Sequence, residues 1–181
     1  HDLIDLTKRA ATVDFSGVKA ERVLSGAKVE PAIRDFLLIG ALLTSAEAVG
    51  STAACLDGVV DYLKTRKQFG KLIGSFQALK HPTVDIYVGM EHARSLVYHA
   101  ASEIDDGPLS QEAEVGCRMA KAKASDAIQF AGDRSVQFHG GFGFTWDCDS
   151  SLFIRRAAWS QQQFGDAMHH RKRLAPLLLD D

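Results

Sequence analysis

From Pro31 onward, apolar residues recur with a helical period, and before it the pattern is different. In TVDFSGVKA, Val13, Phe15 and Val18 alternate with polar residues, and Ser16-Gly17 breaks the run. Alternation of period two predicts one or two short strands. Residues 1–30 are too few for a sheet with its own core. They are expected to be the end of a β-domain whose larger part lies outside this sequence, which opens on His1 rather than Met.

The helical part divides at its punctuation. Pro31 suits a first helical turn, and a long helix is predicted from Ala32 to Thr65. The small residues Gly40, Ala46, Gly50, Ala53 and Ala54 along it predict close approach to another helix or a ligand, because glycine otherwise weakens a helix. RKQFGKLIGS breaks that helix at Gly70 and Gly74. A second is predicted from Ser75 or Phe76 to Asp105, with Pro82 early in it, where proline costs least. DDGPLS is a turn. Ser110 opens a third helix that runs to about Phe138, with Val115, Met119, Ala122, Ile128, Phe130 and Val136 as apolar positions. HGGFGF interrupts; a fourth helix covers Ser151 to about Gln162, and a short fifth Ala167 to Leu179. The fold class is mainly α: a four-helix bundle (31–181) with a short β remnant at the N-terminus (1–30).

Composition narrows the classes. Its 181 residues are enough for one ordinary domain, or for one domain plus a remnant of another. Apolar residues are 46% and charged residues 24%, and the formal net charge is −2. No nucleic-acid or anionic-membrane partner is expected from that balance. The longest apolar run, FLLIGALL, is too short to span a bilayer. Cys55, Cys117 and Cys148 show neither metal spacing nor a disulfide framework, and reduced thiols in the cytoplasm are expected. His92 and His99 share a helix face but lack further ligands, so no metal site is expected.

Two connectors carry chemistry of their own. RKQFG sets two cations and an amide beside an aromatic and a glycine; arginine can grip a phosphate in bidentate fashion, and phenylalanine can cover an apolar ring. QFHGGFGF sets an amide and three glycines at a helix end, where backbone N–H groups can approach a ligand without a Cβ in the way.

Taken in order, RKQFGKLIGSFQ, the Ala93-Arg94 pair, AKAKASDAIQFAGDRSVQFHGGFGF and the IRR before FGD resemble the acyl-CoA dehydrogenase family over essentially the whole chain. The opening DLTKRAATVDFSGV resembles the last part of that family's middle β-domain, and the rest its C-terminal helical domain. The resemblance implies FAD as cofactor, acyl-CoA as substrate and α,β-dehydrogenation as reaction. It implies that Arg66, Gln68, Phe69, Gln77, Gln137 and Gly141, with backbone from Phe138, His139 and Gly140, reach across a subunit interface to the pyrophosphate and adenosine of a neighbour's FAD.

The same resemblance exposes a loss. The family's usual base is the glutamate of an E-G-T loop; in FGD its place is taken by Phe164, followed by Gly165 and Asp166. A second base position used by some members, on the first long helix, falls on Gly40, and the polar substrate contacts beside it on Leu38 and Ala41. A general base contributes about 10²–10⁴-fold in rate. The pattern therefore resembles the non-catalytic subunits of heteromeric bacterial acyl-CoA dehydrogenases, notably those acting on CoA thioesters of steroid side chains. That implies a homologous subunit as partner, acyl-CoA bound at the partner's site, and an electron-transfer flavoprotein or similar acceptor. Two alternatives stand beside it. One is an active homo-oligomer with a displaced base, Asp166 or the more remote Glu47; the other is a flavin-free helical interaction domain.

Overall fold

The computed structural model describes residues 2–23 and 25–179. In order, it contains α1 (Val29–Thr65), β1 (Lys67–Gln68), β2 (Lys71–Leu72), α2 (Gln77–Ser102), α3 (Gln111–His139), α4 (Ser150–Gln162) and α5 (Ala167–Leu179). Single 3-10 turns lie at Gly26–Lys28, Ile73–Ser75 and Gly140–Phe144. The five expected helices are all present. α1 starts at Val29, so Pro31 still falls in the first turn, where a missing N–H leaves no bond unmade. α2 is shorter than expected and stops at Ser102.

The strands expected around Val13 to Val18 do not form. Residues 2–23 hold only turns, bends and irregular backbone, and Val13, Phe15 and Val18 are exposed. A strand is made by its partner, and here no second edge lies alongside to take its backbone bonds or bury its apolar face. A small sheet forms instead where none was expected: β1 and β2 pair antiparallel, Lys67 opposite Leu72 and Gln68 opposite Lys71.

α3 is the central element and touches α1, α2, α4 and α5. Ser110 caps it, its hydroxyl accepting from the Ala113 N–H at 3.0 Å, a bond worth about 1 kcal/mol. Of the small residues along α1, Gly40 makes a close contact, with the Phe164 ring, while the close helix–helix contacts lie at glycines of α3. A Cβ on Gly132 would stand 2.9 Å from Ile154 Cα in α4, and one on Gly116 3.1 Å from Ala100 Cα in α2. Gly50 in α1 faces open space, and Ala46 and Ala54 are exposed. The helix with most neighbours is the one that needs bare backbone.

By length and composition alone, α1 is apolar enough to cross a membrane. In the fold it is a core helix. Leu38, Leu42, Leu56, Val59 and Leu63 are buried in the common core, while Phe36, Leu37 and Leu43 remain exposed on its outer side. The N-terminal segment is tied to the bundle by Arg156 of α4, which pairs with Asp5 and, at 2.7 Å, with Glu47 of α1. Lys8 reaches the same Glu47 carboxylate at 2.5 Å.

Candidate functional site

The first connector is shaped by two residues in the left-handed region. Phe69 has φ 53° and Gly70 φ 76°, the two positive values of the tight hairpin turn that matches strand twist. Glycine takes this conformation freely, but phenylalanine pays about 1–2 kcal/mol for it. The result is a ring that is 88% exposed and edge-on to Phe76 at 6.1 Å. Arg66 precedes the turn in extended backbone, and its carbonyl accepts from Ile73 N–H at 2.9 Å. Gly74 closes the connector: a Cβ there would stand 2.7 Å from the Leu63 carbonyl oxygen.

The second connector is the end of α3. Gly140 caps the helix at φ 59°, ψ −139°, a region that is essentially glycine's alone. A Cβ on Gly140 or Gly141 would meet no protein atom within 4 Å. Gly143 is there for packing, since a Cβ would lie 2.6 Å from the Val136 carbonyl oxygen. His139 stacks on Tyr62 of α1, ring centroids 4.0 Å apart and planes 28° from parallel.

The two connectors meet. Arg66, Gln68, Phe69, Phe138, His139, Gly140 and Gly141 line one cleft of about 450 Å³, together with Tyr62, Ile73, Phe76, Ala78 and Leu79. Gln77 opens α2 and Gln137 lies in the last turn of α3; both are exposed and neither lines the cleft. Arg66 makes no ion pair among the described residues, so its guanidinium is free for a phosphate. Gly140 and Gly141 leave open space beside the backbone that any side chain would enter. This donor set suits the FAD that the resemblance implies. Tyr62 and Phe76 escaped the sequence reading. The signal for Tyr62 was its place four residues before Arg66, one helical turn back on the same face.

The FGD loop lies elsewhere, between α4 and α5. Phe164 has φ 57° and Gly165 φ 95°. The Phe164 ring lies on Gly40 of α1: a Cβ built on Gly40 would be 2.3 Å from Phe164 Cε1. Phe36 meets the same ring edge-on at 6.3 Å. The two positions expected to lack a base are thus in contact, and an aromatic ring fills the space between them. Leu38 and Ala41 beside Gly40 are buried.

The two carboxylates expected as displaced bases are both engaged. Asp166 caps α5, its Oδ1 accepting from His169 N–H at 2.7 Å. Glu47 is engaged by Lys8 and Arg156. Beneath the loop lie two buried titratable groups, and one of them, His170, stands in the basic helix start beside RKRLA, which the sequence predicts to be solvated. His170 donates from Nε2 to the Phe164 carbonyl at 3.0 Å, and its Nδ1 is buried without a partner among the described residues. Burial pushes its pKa down to about 4, against the raising effect of the Phe164 bond and helped by the nearby charges of Lys121, Arg118 and His169. Lys121 is buried in α3 and bonds Ser125 Oγ at 2.9 Å and the Ser160 carbonyl at 3.0 Å. Burial lowers its pKa to about 8, partly offset by Asp166. No cluster of three or more His, Cys, Asp or Glu suited to a metal occurs among the described residues. All three cysteines are free and buried.

The bundle of long helices, with a cleft at two glycine-bearing connectors, has the architecture of the C-terminal domain of acyl-CoA dehydrogenases. The chain belongs to the acyl-CoA dehydrogenase family: residues 31–176 match its C-terminal domain. It is 38% identical over 134 residues to acyl-CoA dehydrogenase IpdE2 of Mycolicibacterium smegmatis, covering 74% of this chain and 40% of the relative. IpdE2 of Mycobacterium tuberculosis is 39% identical over 133 residues, covering 74% of this chain and 38% of that protein. Butyryl-CoA dehydrogenase from Megasphaera elsdenii superposes with a TM-score of 0.78 at 29% identity, over 86% of this chain and 40% of the other. A Tcur3481–Tcur3483 steroid acyl-CoA dehydrogenase does so at 0.76 and 26% identity, over 81% of this chain and 40% of the other. The chain thus spans about 40% of the length of these relatives.

Proposed function

We propose that this chain is the flavin-supporting, non-catalytic subunit of a heteromeric acyl-CoA dehydrogenase that introduces an α,β double bond into CoA thioesters. The observation that carries the reading is the Phe164 ring seated on Gly40. It joins the two positions at which the family carries its base, neither of which holds a carboxylate here, while the cleft between the two connectors keeps its free arginine and open glycines. When bound, FAD supplies the acceptor for the β-hydrogen. Arg66 would neutralise phosphate charge, the amides of Gln68, Gln77 and Gln137 would bond ribose or adenine edges, and Phe69 would cover an apolar ring face, with Phe138 to Gly141 offering backbone. A homologous partner would supply the carboxylate base and bind the acyl-CoA, and an electron-transfer flavoprotein or similar protein would be the electron acceptor. Residues 1–30 are read as the end of the family's β-domain. CoA thioesters of steroid side chains are the favoured substrate class, in keeping with the steroid acyl-CoA dehydrogenase among the similar structures.

Co-expression with a homologous subunit, followed by a flavin count, tests this. One FAD per pair of chains is expected, with no flavin retained by this chain alone. A chain that alone binds FAD and bleaches it with an acyl-CoA belongs instead to an active homo-oligomer. A complex that forms and functions without flavin at this cleft is the helical interaction domain.

A further inference from the structure

His139 sits at the end of a hydrogen-bond chain whose direction is fixed. Its Nδ1 lies 2.8 Å from the Ser135 carbonyl oxygen. A carbonyl can only accept, so Nδ1 carries the proton. Ser150 Oγ lies 2.9 Å from the same nitrogen and 2.8 Å from Ser135 Oγ. The Cys55 thiol, also buried, points its own hydrogen to the Ala131 carbonyl at 3.5 Å. With the proton on Nδ1, Ser150 Oγ accepts from the ring and its own hydrogen is free to go to Ser135 Oγ. The imidazole is left with Nδ1–H held by the core and Nε2 as a bare acceptor. Among the described residues Nε2 has no hydrogen-bond partner, and the ring lines the cleft that holds Arg66, Gly140 and Gly141. Tyr62 fixes the ring plane by stacking on it.

The same geometry excludes a hydrolytic reading of the Ser150–His139 pair. A nitrogen that already carries a proton bound to a carbonyl cannot take one from serine, and Ser150 is buried.

We propose that the His139 side chain itself binds the cofactor, with Nε2 accepting a hydrogen bond from an N–H or O–H of the adenosine half, and that Ser150 and Ser135 are positioning residues that set its tautomer. This rests on the flavin-supporting reading above and adds to it a side-chain contact where the family motif implied only backbone. The ligand group is a donor, either the adenine amino group or a ribose hydroxyl.

The test uses the assembled complex stripped of flavin and titrated with FAD and, separately, FMN, which lacks the adenosine half. His139→Phe keeps a ring on Tyr62 and removes the acceptor. FAD affinity is expected to fall about 5- to 10-fold, the loss of one neutral hydrogen bond, with FMN affinity unchanged. His139→Gln, which offers an oxygen near the Nε2 position, is expected to recover part of the loss. Ser150→Ala is expected to loosen FAD several-fold and to lower the Nδ1–H tautomer fraction read from imidazole ¹⁵N shifts, and Ser150→Thr to restore both. Unchanged FAD affinity in His139→Phe, or equal loss of FAD and FMN, overturns the proposal. Arg66→Ala separates the two levels. If it loosens FAD and His139→Phe does not, only the histidine contact falls; if neither does, the cofactor reading falls and takes the contact with it.

Discussion

The ring of Phe164 rests on the bare backbone of Gly40, so close that a methyl group at Gly40 would stand 2.3 Å from its Cε1. The relationship predicts a change of sign. Gly40→Ala alone is expected to destabilise the fold by about 1–2 kcal/mol, through crowding against the ring. In a Phe164→Ala background the same change is expected to be neutral or stabilising by up to ~1 kcal/mol, because alanine is the better helix former. Urea unfolding of the four proteins in a double-mutant cycle measures the coupling. Additive effects would show that the two residues do not touch.

Restoring the acid is expected not to restore the enzyme. Phe164→Glu places a carboxylate in the loop, but Leu38 and Ala41 still stand where polar substrate contacts are found in the family. Flavin bleaching by acyl-CoA in a complex whose partner base is removed should therefore stay at background. Turnover there would reopen the active homo-oligomer reading.

Arg66→Ala is expected to weaken FAD retention by the assembled complex about 10- to 100-fold, the loss of a charge-assisted bond. Flavin absorbance per complex after gel filtration reads it directly. Full flavin content in this variant counts against the cleft as the cofactor site.

The buried pair beneath the loop predicts a pH profile. His170 has a folded pKa near 4, below the ordinary 6.5, so the unfolded chain binds the extra proton in between. Stability is then expected to fall as pH drops from about 6.5 towards 4, by an amount on the order of 2–3 kcal/mol. His170→Gln should flatten that acid limb in urea titrations at pH 7 and 5. Lys121, lowered to about 8 from 10.5, works at the other end. Its contribution makes stability rise between about pH 8 and 10.5, and Lys121→Met should abolish that rise. At pH 7 this variant is expected to be no less stable than the parent, because a buried ammonium whose hydrogen bonds go to neutral oxygens leaves the interior.

Arg156→Ala leaves the buried Asp5 carboxylate without its guanidinium. Burial by itself raises the Asp5 pKa, but hydrogen bonds from Thr7 and Arg156 hold it below the ordinary range. The variant is expected to lose about 1–3 kcal/mol, with protease cutting appearing first in residues 2–23. Unchanged proteolysis of that segment would show that the clamp does not hold it.

The helices were legible in the sequence because apolar periodicity, Pro31, Ser110 and the glycine breaks act locally, and a helix closes its own hydrogen bonds. The residue types of RKQFG and QFHGG were legible as ligand chemistry for the same reason, and the loss of the glutamate was legible as an exchange of one side chain for another. The segment containing Val13 and Phe15 was misread because a strand depends on a partner that alternation cannot supply. Only the tertiary structure showed that Phe164 and Gly40, both noted for a missing carboxylate, form one contact. It alone turned Asp166 into a helix cap and Glu47 into a counter-ion, and it brought Ser150 beneath His139. Such relationships join residues far apart along the chain, and whether a polar atom is a base, a cap or an anchor is decided by what packs against it.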